Sequence, residues 1–173
     1  MANHEQYGSY QISWRETGER FVALLRATEG EDPPAIVTAS VGEGMSVLKS
    51  RTFAVIDAGV AEAYRPNLLA PNGASPVRAF DAFLILKEQE IGEPLSALPS
   101  GPKRLSAGWA FFYQSRAYVE TRAFDKMIVG HGPVVVTDDG RIIEGGSLDL
   151  DPEKMLSRQS WNVRKGVASS PSA

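Results

Sequence analysis

A histidine, a run of carboxylates and a glycine-bearing turn are the places where this chain would do chemistry. His131 sits in Gly130-His131-Gly132-Pro133, whereas His4 lies in the polar start of the chain. A lone imidazole can serve as a general base. No nucleophile and orienting acid at a recognisable spacing complete a triad, however, and no second histidine offers a metal ligand. Asp138-Asp139, with Glu144, Asp149 and Asp151 close behind, would supply oxygen ligands for a divalent cation. The competing reading is structural: Asp-Asp-Gly is the composition of a tight hairpin, and Asp151 before Pro152 is the composition of a helix cap. Val41-Gly42-Glu43-Gly44 joins a strand pattern to a helix pattern, but its spacing fits neither a dinucleotide fingerprint nor a P-loop, and Glu43 would repel a phosphate. No catalytic residue, no metal ligand and no cofactor is assigned on these grounds. The chemistry expected is recognition at a surface.

Side chains suited to that role lie in several loops and on two strands. The acidic loop holding Glu29, Glu31 and Asp32 would meet a basic partner, because complementary charge speeds encounter. Lys103 and Arg104 end a Pro99–Arg104 loop, and Asp138 and Asp139 sit on a hairpin tip. Trp14 and Tyr113 are expected at half-exposed positions, since indole and phenol groups pair an apolar body with a polar tip.

The elements that must position these residues follow from pattern. Tyr10, Ile12 and Trp14 alternate, a turn follows at Glu16–Glu19, and Phe21, Ala23 and Leu25 alternate on the return, which predicts a hairpin. Ala35–Val41 reads as a third strand. Apolar residues at helical spacing from Met45 to Ala63 predict one amphipathic helix over about 44–64, closed by Arg65-Pro66. Residues 1–9 carry no element. Asn67–Ser75 is the expected boundary, which divides the chain into a 1–74 hairpin, strand and helix unit, a 75–165 unit and a 166–173 flexible tail. Ser75-Pro76 caps a second helix running to about Gln89. A weak strand at Leu95 and a loop to Arg104 precede a continuous aromatic strand, Ser106–Tyr113, with Trp109, Phe111 and Tyr113 on one face. Tyr118–Thr121 extends a strand or enters an irregular connection, and Gly130–Pro133 is a turn. Val134–Thr137 and Arg141–Ile143 form a hairpin around Asp138-Asp139-Gly140. Asp151-Pro152 opens a short helix to about Arg158.

The fold class is therefore α+β, with two small antiparallel sheets, or one shared sheet, each packed by a helix. Composition agrees: 173 residues, 43% apolar, 23% charged, net charge −3. Residues 1–74 hold six Lys/Arg against nine Asp/Glu, so the first half carries the whole net charge. No basic stripe marks a nucleic-acid binder, and no apolar run is long enough for a membrane span. Absence of cysteine excludes disulfides and thiolate metal sites and suits a reducing, cytoplasmic setting. Exposed sheet edges would allow two copies to pair as a homodimer.

From about Val77 to Leu156 the chain resembles the YrhB-like immunity-protein domain of bacterial polymorphic toxin systems. The matching residues are Phe80-Asp81-Ala82-Phe83, then Gly108-Trp109-Ala110-Phe111-Phe112-Tyr113 with Arg116, Tyr118 and Glu120-Thr121. Gly132-Pro133-Val134-Val135-Val136, the Asp139-Gly140 turn and Pro152-Glu153-Lys154-Met155-Leu156 complete the set. The resemblance implies a small α+β domain that binds and neutralises a cognate toxin protein without catalysis of its own. It transfers no binding residues. The first half is similar in topology to HicB-like antitoxin domains. The alternative is a stress-related, chaperone-like or regulatory protein-binding domain; an enzyme built on His131 is the third class.

Overall fold

The computed structural model describes residues 3–158. Four strands, β1 (Asn3–Tyr7), β2 (Tyr10–Thr17), β3 (Arg20–Ala27) and β4 (Ala35–Ser40), form an antiparallel meander in sequence order. Ile12, Trp14, Ala23, Leu25 and Val37 point to one side and pack with Leu48, Thr52 and Val55 of helix α1 (Met45–Asp57). The expectation of an unstructured start is corrected, because β1 pairs with β2 from Asn3↔Trp14 to Tyr7↔Tyr10. An edge strand needs no apolar stripe when its side chains are held individually. Here Trp14 Nε1 donates to Glu5 at 3.1 Å, Lys49 reaches the same carboxylate at 3.3 Å, and the Tyr7 and Phe53 rings lie 4.4 Å apart.

Helix α1 is shorter than its apolar spacing predicts. It stops at Asp57, and Gly59 takes a left-handed backbone (φ 67°) that a helix interior does not allow. A 3-10 helix, Ala61–Tyr64, continues the apolar pattern on a new axis. Ala61 belongs to the first core and Ala63 to the second, while Val60 and Tyr64 pack against both. This short segment makes the interior continuous.

Helix α2 (Pro76–Ile91) begins as expected, with Ser75 accepting from the Arg78 N–H and proline in the first turn, and ends at left-handed Gly92. Its buried face, Phe80, Phe83 and Leu84, covers a second sheet of β6 (Lys103–Leu105), β7 (Gly108–Phe111), β9 (His131–Thr137) and β10 (Ile142–Gly146), ordered β10-β9-β7-β6. A 3-10 helix, Pro152–Ser157, covers the other face through Met155, which meets Ala110, Val135, Leu105 and Ile143. With apolar cover on both sides, β7 is buried throughout, and so is β9 from Pro133 to Thr137. The α+β class with small antiparallel sheets is observed, and the described residues form three sheets rather than two.

Four further expectations change. The loop before the aromatic strand contains β6, paired to β7 by Leu105↔Gly108. The aromatic strand is two: pairing of β7 with β9 ends at Phe111↔Val134, where the next residue of β9 is Pro133 and lacks an N–H, and the chain passes to β8 (Tyr113–Ser115), which pairs with β5 (Leu95–Ala97). Residues Arg116–Thr121 form helix α3 rather than a strand, because Ser115 caps it by accepting from the Tyr118 N–H at 3.0 Å. His131 begins β9 rather than lying in a turn, and it pairs with Gly146. That crossing leaves no room: a Cβ on Gly132 would stand 2.1 Å from the Gly146 carbonyl oxygen. The C-terminal helix has 3-10 geometry, with Asp151 capping it through the Glu153 N–H. The expected tail, 166–173, lies outside the described residues.

Candidate functional site

Three loops singled out in the sequence meet through one short connection. Arg104, on β6, donates to Asp138 with both terminal nitrogens, at 2.6 and 3.0 Å, and also to the Gly108 carbonyl at 3.2 Å. Its guanidinium lies 5.3 Å from the centroid of the Trp109 ring. Asp138 stands at the end of β9, opposite β6 across β7, so two strand pairings set the distance that this bidentate bond spans. The hydrogen bond to Asp138 raises the Arg104 pKa above its ordinary value. The Asp138 carbonyl accepts from Asn67 Nδ2 at 2.8 Å, and two residues earlier Arg65 pairs with Asp32 at 2.8 Å. The segment Arg65-Pro66-Asn67 therefore ties the acidic loop to the Arg104–Asp138 pair.

Beside this tie, Leu68 and Leu69 are 80% and 74% exposed. Two adjacent leucines held outward on an ordered turn give this surface an apolar centre, with charged groups around it. The turn is ordered by Asn67 itself, whose side-chain oxygen accepts from the Leu69 N–H, and by Ala70, which packs against Gly140 so closely that a Cβ there would lie 2.6 Å from the Ala70 Cβ. Asp139 flanks the surface. A hydrogen bond from Thr137 and then the Arg141 pair at 2.9 Å hold its carboxyl below the usual range. Lys103, Glu29 and Glu31 are exposed.

Of the predicted contact residues, Asp32, Arg104, Asp138 and Asp139 are thus linked or adjacent. Trp14 and Tyr113 are not at half-exposed positions. Trp14 is buried under Lys49 and against Phe53, and Tyr113 is buried under α2 against Phe83. Trp14 points into the core because it shares a face of β2 with Ile12, and Tyr113, the first residue of β8, is turned into the second core beside Phe83 of α2. Sequence reasoning missed Arg65, Asn67, Leu68 and Leu69. The available signal was a Leu-Leu pair inside a loop rich in Asn, Pro and Gly, where no strand or helix period calls for apolar side chains.

A second polar group lies inside. Lys87, 8% exposed on α2, reaches Glu144 at 2.6 Å and Glu90 at 3.0 Å. Burial works against its charged form, but the hydrogen bonds to Glu144 and Glu90 prevail and raise its pKa. His131 Nε2 contacts the Tyr113 carbonyl at 2.9 Å, and the two rings lie 4.5 Å apart. Burial, then the nearby Glu144 and Glu90, raises the pKa of the Tyr113 phenol. The other carboxylates considered for a cation are matched to basic side chains, with Asp149 bonded to Arg158 at 2.6 Å and Asp151 near Lys154 at 3.5 Å. Among the described residues no group of three or more His, Asp or Glu is placed to hold a metal ion, and no helix is long and apolar enough to cross a membrane.

Residues 82–163 match the family described as Immunity protein 35. The match supports an immunity-protein domain in this part of the chain. It covers a little under half of the 173 residues and takes in most of α2, all of the second sheet and the Met155 helix. It agrees with the immunity-protein resemblance of residues 77–156, while the first sheet and α1 stand outside it. No curated protein and no solved structure matches the chain.

Proposed function

We propose that this protein is a non-catalytic immunity protein that binds a cognate toxin and neutralises it by occlusion, using the surface around Leu68, Leu69, Arg104 and Asp138. The Immunity protein 35 match over residues 82–163 carries the reading. The surface fits an interface in chemistry: an apolar centre, an arginine held in place by a bidentate carboxylate, and charges at the rim. The division into a 1–74 unit and a 75–165 unit, the toxin's identity as the partner and the cytoplasm as the place of encounter belong to the same proposal.

The test is affinity capture of the tagged full chain from its native extract, followed by expression of whatever co-purifies. The expected result is one stoichiometric protein that is harmful alone and harmless with this chain. Leu68→Asp with Leu69→Asp should abolish protection while the thermal melt stays unchanged. A spread of unrelated, heat-sensitive clients would replace toxin neutralisation with the chaperone-like reading.

A further inference from the structure

The first sheet has an outer face that helix α1 does not touch, and the strand register assigns its residues. Outward positions are His4 and Gln6 on β1; Gln11, Ser13, Arg15 and Thr17 on β2; Arg20, Val22, Leu24 and Arg26 on β3; and Ile36, Thr38 and Ser40 on β4. Leu24 lies between Ser13 and Ile36, and Val22 lies between Arg15 and Thr38. The register sets three aliphatic residues on neighbouring rows of one face, with an arginine at either end of β3 and a third beside Val22.

Charge on this face is one-sided. Residues 1–74 contain six basic side chains. Lys49, Arg51 and Arg65 each form an ion pair, with Glu5, Glu43 and Asp32. Arg15, Arg20 and Arg26 form none among the described residues, and all three lie on the outer face. None of the nine carboxylates of this half occupies an outward strand position: Glu5 and Glu16 fall on the inward parity, and the others are in turns, loops and helices. A half with net charge −3 thus presents a face that is purely basic. Arg20 lies at its corner, where its charge favours the ionised form of Asp81 on α2; Arg15 and Arg26 are exposed.

We infer that this face docks an acidic amphipathic helix of a protein partner. Arg20 and Arg26 are six residues apart on one strand, about 20 Å, with Val22 and Leu24 between them. A helix covers that distance in about 13 residues, enough for an apolar stripe over Val22, Leu24 and Ile36 with carboxylates at both ends. Arginine around an aliphatic centre is the composition of a protein interface. A platform for single-stranded nucleic acid would offer aromatic side chains for its bases to stack on, and no outward position of the sheet holds Phe, Tyr or Trp. A second copy meeting this one face to face would set arginine against arginine, which is destabilising. This surface lies outside the 82–163 match, so it stands or falls separately from toxin neutralisation.

The probe is a synthetic helix of about 18 residues carrying a leucine stripe flanked by glutamates, titrated into the isotopically labelled full chain. Saturable amide shifts confined to β2, β3 and β4 are expected, with no response to the same peptide bearing lysines. Arg15→Glu with Arg26→Glu should weaken binding roughly tenfold or more, and Leu24→Gln by several-fold, both with unchanged far-ultraviolet circular dichroism. Absence of saturable binding overturns the inference, as does equal binding of the lysine peptide or insensitivity to these variants. Tighter binding of oligo-dT or of phosphatidylserine vesicles at the same residues overturns it in favour of a nucleic acid or an anionic membrane.

Discussion

The two four-stranded sheets differ in how they are covered, and that difference governs where each puts its charge and its glycines. The β1–β4 sheet has a helix on one side, and its strands alternate: β4 reads buried and not buried by turns from Ala35 to Ser40. The arginines of its strands point outward, and Gly18 in its hairpin turn meets no atom within 4 Å. The β10-β9-β7-β6 sheet lies between α2 and the Met155 helix. Its central strands have no solvent side, the buried cation that α2 brings to it, Lys87, is paired with carboxylates, and its backbones approach until a Cβ has no space. Covering both faces increases apolar burial and removes tolerance.

The harshest way to break this contrast is Gly132→Ala. Its Cβ would clash with the backbone of Gly146, and a loss of about 3 kcal/mol or more is expected in urea unfolding. Lys87→Met should cost about 2 kcal/mol by leaving Glu144 partly buried without its cation; adding Glu144→Leu should recover most of the loss, because an apolar replacement for a buried pair is often neutral. A double variant no more stable than the single would show that packing rather than charge sets the effect. In the half-covered sheet, Gly18→Ala meets no atom within 4 Å and carries only the strain of φ 55°, so about 1 kcal/mol is expected. A loss equal to that of Gly132→Ala would erase the distinction. The gentlest test is titration. The Arg158 hydrogen bond, with that of the Gly146 N–H, lowers the Asp149 carboxyl to about 2. Its contribution is therefore complete above the usual carboxylate value of about 3.9 and is lost as pH falls through about 2. Carboxyl-carbon NMR should place the midpoint there, and Arg158→Ala should return it toward the ordinary value.

Legibility in the sequence follows the same division. The β2–β3 hairpin, β4 and the start of α2 could be read because each is set by neighbours: alternation, a turn glycine, Ser75 before Pro76. The end of α1 was misplaced because apolar spacing runs on through Ala63 while Gly59 turns the axis. The split of Gly108–Ser115 could not be read locally, since it depends on Pro133 lying opposite Phe112, some twenty residues on in the chain. Of the candidate surface, Arg104, Asp138 and Asp32 were visible as charged loop residues. Their meeting was not, because the side chains that join them, Arg65 and Asn67, are remote in sequence from all three.

Those two residues flank Pro66, whose ring fixes its φ, so the three loops hang from one stiff tripeptide. Conformational freedom there is surrendered when the chain folds, not when a partner arrives. A protein landing on Leu68 and Leu69 would meet a pre-organised plate and would lose little loop entropy on association. Loosening the tripeptide, by Pro66→Gly for example, would then show itself as faster dissociation with the contact side chains all still present.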